Sequence, residues 1–129
     1  QQHFLYSAAI QLLTTPSVSG SVGEAKELLD SIKGGSGFSF VDLLADRAGM
    51  QFARIATATP ASATALQQFF AQDRTEPELF PSKARLPEGI PQQLFEQTYQ
   101  SIDSAVYRQM VQEIDRRLQQ LPLYQIDVN

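Results

Sequence analysis

Hydrophobic residues recur at helical spacing over most of this chain, and no stretch alternates in the manner of a half-buried strand. In HFLYSAAIQLL, residues 3–13, the apolar positions are Phe4, Leu5, Ala8, Ala9, Leu12 and Leu13. His3, Ser7 and Gln11 fall at i, i+4 and i+8 and make one polar edge, and Pro16 closes off the helix this predicts. Residues 21–33 open with a capping box, Ser21 with Glu24, and carry a stripe of Val22, Ala25, Leu29 and Ile32. Gly34 and Gly35 then offer the left-handed backbone at which helices end. A second box, Ser39 with Asp42, starts a third helix over about 40–58, whose core stripe is Val41, Leu44, Ala45, Ala48, Phe52 and Ile55. Beside that stripe runs a narrower line of Asp42, Asp46, Gly49 and Ala53, carboxylates followed by small residues.

Thr59-Pro60 breaks the pattern, and residues 61–73 predict a fourth helix. The segment 74–93 holds four prolines and reads as an ordered loop with little regular structure, its Leu79, Phe80 and Leu86 wrapping onto the core. QLFEQTY predicts a short helix. Residues 104–121 give the cleanest one, with Val106, Tyr107, Met110, Val111, Ile114, Leu118 and Leu121 in register and Pro122 at its end. The expected fold is all-α, a small bundle of about five helices with a proline-rich ordered loop before the C-terminal helix. It is one domain, 1–129: a helical core over 1–73, the loop over 74–93 and a helical segment over 94–129.

Composition narrows the function. A net charge of -4 leaves no basic stripe for phosphate, which argues against nucleic acid. With no cysteine there is no disulfide, thiolate metal site or cysteine nucleophile. No apolar run approaches the roughly 20 residues of a membrane span. The chain begins at Gln1, without an initiator Met and already in helix-like sequence. This suggests a processed or trimmed product and leaves open whether a signal peptide or lipid anchor was removed.

Charge and glycine are densest over residues 23–49. His3, Lys26, Glu27, Asp30, Asp42 and Asp46 form a candidate polar cluster between the first three helices. Asp42 and Asp46 share a face at i, i+4, and Glu27 and Asp30 share another at i, i+3. His3, Glu27, Asp30, Asp42 and Asp46 together offer an imidazole and four carboxylates to a divalent metal, although the Glu-x-x-His spacing of bundle metal sites is absent. Capping explains Asp42 without chemistry, and helical ion pairs explain Lys26 with Asp30. Asp46 is the hardest to explain so, because a carboxylate buried mid-helix needs a partner: Lys26, Arg47 or His3. Gly35, Ser36, Gly37 and Ser39 make a candidate anion-binding turn at a helix N-terminus, lacking the Lys-Ser/Thr ending of a P-loop. A single His and no nucleophile-elbow motif make Ser–His–Asp catalysis a weak reading.

His3-Phe4, KELLD (26–30), GSGFS (35–39) and DLLADRAG (42–49) stand in the order found in YfiM-type bacterial envelope lipoproteins, which this part of the chain resembles. The same order of elements is more loosely similar to VanZ-like membrane proteins. The resemblance covers residues 3–49 and implies a helical hairpin, an envelope or periplasmic location, and polar residues that act as one unit. It implies no particular reaction.

The function expected from these readings is non-enzymatic: an envelope-associated helical protein, without a cofactor, that meets a partner protein or the membrane surface. Segment 77–91 and the C-terminal LPLYQIDV are the candidate docking elements. The alternative is a metal-dependent hydrolase or metal-binding protein built on the His/Asp/Glu cluster.

Overall fold

The computed structural model describes residues 2–13, 24, 26 and 35–129. Six α-helices are delimited: α1 (Gln2–Leu13), α2 (Phe40–Thr57), α3 (Pro60–Phe70), α4 (Glu76–Leu79), α5 (Gln92–Tyr99) and α6 (Ala105–Gln119), with a 3-10 turn at Pro122–Gln125. Glu24 and Lys26 are helical as well. The remainder of the helix expected over 21–33, including Glu27 and Asp30, lies outside the described residues. The all-α expectation holds: among the described residues the only β pairing is an isolated bridge between Phe38 and Ile90.

Local sequence sets the helix boundaries. Ser39 caps α2 by accepting from the Asp42 amide at 3.0 Å. Thr59 and Ser62 form a reciprocal box at the start of α3, with Pro60 at the first turn where a missing N–H costs nothing. α3 stops at Phe70 rather than continuing to residue 73. Arg74 donates to the Phe69 carbonyl at 3.0 Å and lays its guanidinium over the Phe69 ring at 4.0 Å. Ser104 caps α6 through the Tyr107 amide.

α2 is the central element, contacted by α1, α3, α6 and the 3-10 turn. Its buried residues include Phe40, Leu43, Leu44, Ala48 and Ile55, while Val41 and Phe52 are only partly covered. An aromatic cluster fills the centre. Phe38 meets Phe95 with ring centroids 4.5 Å apart and Phe40 at 4.9 Å, and Phe40 meets Tyr99 at 5.0 Å. Full burial of each such side chain is worth about 1.5–3 kcal/mol.

The proline-rich segment wraps onto this core, as expected, but it is less irregular than its composition suggested. Its start folds into α4, where the Glu78 carboxylate accepts from the Thr75 amide at 2.8 Å. Those bonds to Thr75, with Arg74 beside them, hold the Glu78 carboxyl below its usual range. Farther on, Phe38 and Ile90 exchange backbone hydrogen bonds of 2.7 and 2.9 Å, and the Phe40 amide donates to the Pro87 carbonyl at 2.9 Å. Arg117 ties α6 to the same loop by donating to the Ser82 and Ala84 carbonyls at 2.7 and 3.0 Å.

Parts of both expected docking elements are taken up by the fold. Leu86 and Ile90 from the loop, and Leu123 and Tyr124 from LPLYQIDV, are buried in the core. The Tyr124 hydroxyl donates to the Leu79 carbonyl at 3.1 Å, and burial pushes its ionisation well above the ordinary tyrosine range. Leu86, Ile90, Leu123 and Tyr124 thus add to the core, while Phe80 stays 40% exposed.

Candidate functional site

α1 is an amphipathic helix turned the opposite way from a simple hydrophobic reading. Its polar edge faces α2. The buried Ser7 hydroxyl donates to Asp46 Oδ1 at 2.7 Å. His3 sits between two carboxylates, its Nδ1 3.4 Å from Asp46 Oδ1 and its Nε2 3.5 Å from Asp42 Oδ2. Phe4 packs beside them, with ring centroids 5.5 Å from Phe52 and 5.6 Å from Phe80. The two backbones touch at Gly49, where a Cβ would lie 2.1 Å from the Phe4 carbonyl oxygen. The line of Asp42, Asp46 and Gly49 read from the sequence is thus the α1-facing side of α2.

This arrangement leaves the other side of α1 outward. Leu5 is 64% exposed, Tyr6 66%, Leu12 58% and Leu13 84%, and Ala9 lies among them at the same helical spacing. Four large apolar side chains on one uncharged face form a contiguous stripe, unlike the single exposed hydrophobics every surface carries.

Asp46 is only 4% exposed, and its Oδ2 has no hydrogen-bond partner among the described residues. Burial raises its carboxyl above the ordinary range, opposed by the Ser7 hydroxyl, by His3 and more distantly by Lys26. Arg47, one of the partners the sequence offered, instead reaches Asp115 of α6 with two bonds of 2.7 and 2.8 Å. The Ser7 hydroxyl donates its hydrogen bond to Asp46, an order of contacts that does not activate a serine nucleophile through His3.

Of the predicted cluster, then, His3, Asp42 and Asp46 come together. Lys26 is exposed and acts on Asp46 through charge, and Glu27 and Asp30 lie outside the described residues. Ser7 completes the group. Its signal was present in the sequence, because His3/Ser7 and Asp42/Asp46 are two i, i+4 pairs able to face each other across a helix contact. A cleft of about 1300 Å³ opens beside His3 and Asp42, bounded opposite by the 76–84 segment and by Glu113, Arg116 and Arg117 of α6. Arg116 and Arg117 both bind Glu113, at 2.8 and 2.9 Å, and hold its carboxyl down at about 2. Among the described residues, no three His, Asp or Glu side chains converge on one metal position.

The glycine turn is occupied by the fold itself. Gly37 is buried at φ +87°, where a Cβ would meet the Gly89 backbone at 2.4 Å. The amides of Phe38 and Phe40 are bonded to carbonyls, and Ser39 caps α2. Gly35 and Ser36 are exposed. These contacts account for the glycine and serine pattern through backbone crossing and capping.

Comparison with known proteins adds no relative to this picture: no protein-family model, curated protein or solved structure matches the chain.

Proposed function

We propose that this chain is a non-enzymatic helical interaction module of the bacterial envelope that docks an apolar protein surface on the outward face of α1. The observation that carries the reading is the exposure of Leu5, Tyr6, Leu12 and Leu13 on a helix already fixed to the bundle by its polar side. Burying four such side chains against a partner supplies several kcal/mol of association energy. Because α1 is folded in place, little ordering entropy opposes it.

Charge favours a protein over a lipid surface. Helices that lie in anionic membranes combine an apolar face with Lys or Arg on the flanks. α1 has the apolar face but no Lys or Arg, and the chain carries -4 overall. The resemblance over residues 3–49 supports an envelope partner.

A photo-crosslinking amino acid at Leu13 tests this in cells of the native host, with the same group at Gln109 on the exposed side of α6 as control. A discrete protein adduct from position 13 alone, lost on Leu5→Lys with Leu12→Lys, is the expected result. Adducts to lipid alone, or the same products from both positions, contradict it.

A further inference from the structure

We infer that the outward face of α1 takes a second copy of this chain, paired antiparallel about a two-fold axis at Ala9. The inference rests on the docking reading above and names its occupant. The exposed positions are symmetric in sequence. Leu5 and Tyr6 precede Ala9 by four and three residues, and Leu12 and Leu13 follow it by three and four. At about 100° per residue, all of them fall within roughly 60° of the Ala9 direction. All five positions are exposed, and Ser7, which bonds Asp46, lies on the opposite side of the helix.

Such a face is complementary to itself. An antiparallel two-fold axis through Ala9 lays Leu12 and Leu13 of one copy over Leu5 and Tyr6 of the other, at both ends of the contact. The small alanines in the middle let the helices come to the near end of the usual range of about 8–10 Å, and the large side chains fill the ends. An isologous contact of this kind closes at two copies. Charge permits the same pairing. α1 carries no Asp, Glu, Lys or Arg, and its His3 is turned onto α2. Two such faces meet without a like-charge pair between them.

The contact is small, because α1 has only 12 residues. A pair of such helices stays below the roughly 1,200 Å² at which stable interfaces begin, so the dimer is weak and reversible. Its dissociation constant is on the order of 10–500 µM, and the dilute chain is a monomer with α1 open.

Sedimentation velocity of the purified chain should move from monomer at about 1 µM towards dimer at about 1 mM. Leu5→Lys with Leu12→Lys should abolish that shift, and Leu94→Lys, at a comparably exposed position on α5, should leave it unchanged. Geometry is read by disulfides. Antiparallel pairing sets the two Leu5 positions about 12 Å apart along the helix, too far for a bridge, and brings Leu5 beside Leu12 of the other copy. A mixture of Leu5→Cys and Leu12→Cys chains should therefore oxidise to the mixed dimer at least tenfold faster than Leu5→Cys chains pair with themselves. A wild-type chain that stays monomeric at about 1 mM overturns the second copy. In that case a foreign-protein adduct at position 13 in cells would still uphold the docking face, and no adduct there would end both readings. A dimer that survives the two lysines, or Leu5→Cys self-pairing as fast as the mixture, overturns the inference as well.

Discussion

The Phe4 carbonyl of α1 lies against Gly49 of α2 so closely that a Cβ at position 49 would sit 2.1 Å from its oxygen. That contact involves backbone, which cannot swing aside as a side-chain tip does. Gly49→Ala must therefore push α1 off α2. Overpacking of this kind costs about 1–3 kcal/mol. The helix-propensity gain of about 1 kcal/mol offsets part of it. Urea unfolding should show a net loss of stability, and a variant as stable as wild type would contradict the close approach.

Asp46 makes a prediction about pH. Burial raises its carboxyl above 3.8 in the folded protein, against Ser7 and His3. A group raised on folding favours the native state while it is protonated. That contribution is complete below pH 3.8 and is lost as pH climbs through the native value. Asp46→Asn stays neutral throughout, so its stability relative to wild type should rise from pH 4 upward and then level off. Urea midpoints of both proteins between pH 3 and 8 measure this. A difference that stays flat, or falls with pH, contradicts burial as the dominant influence.

Ser7 donates a short bond of 2.7 Å to that buried carboxylate. Ser7→Ala removes it without adding volume, and should cost about 1.5–3 kcal/mol near neutral pH, as expected for a bond to a charged group. The loss should shrink in an Asp46→Asn background, which a double-mutant cycle measures. Full additivity would mean that the two residues do not act together.

Gly37 and Gly89 separate two effects that a single glycine would confound. Both have positive φ, +87° and +66°. An alanine at either pays left-handed strain of about 1–2 kcal/mol. At Gly37 its Cβ would also lie 2.4 Å from the Gly89 backbone, whereas at Gly89 the nearest atom is 3.7 Å away. Gly37→Ala should therefore be clearly the more destabilising by thermal or urea unfolding. Equal losses would contradict the crossing of the two loops.

Helical periodicity and capping residues made α2 and α6 legible, because Ser39 and Ser104 cap where such residues should. The cluster was legible in part: spacing alone put Asp42, Asp46 and Gly49 on one line. What spacing could not supply was the rotation of α1. Phe4, Leu5, Ala8, Ala9, Leu12 and Leu13 cover much of its circumference, so hydrophobicity alone did not fix which side turns inward. Ser7, His3 and the Phe4–Gly49 contact decided it. The wrapping of the proline-rich loop onto the core was legible in its Leu79, Phe80 and Leu86. Its pairing with residues 38–40 was not, because that contact is long-range and leaves no local signature.

α1 presents its Leu5, Tyr6, Leu12 and Leu13 face to the outside while its His3, Phe4 and Ser7 side is held on α2. The chain has no cysteine, so single substitutions report without background. Cysteines at Leu5, Leu12 and Leu13 of the purified chain should react with a thiol reagent at nearly the free-thiol rate. Cysteines at Phe4 and Ser7 should react more than about tenfold slower, because they wait on local opening. Fast labelling at Ser7 together with protection at Leu5 and Leu12 would contradict this orientation and mean that the helix is turned the other way.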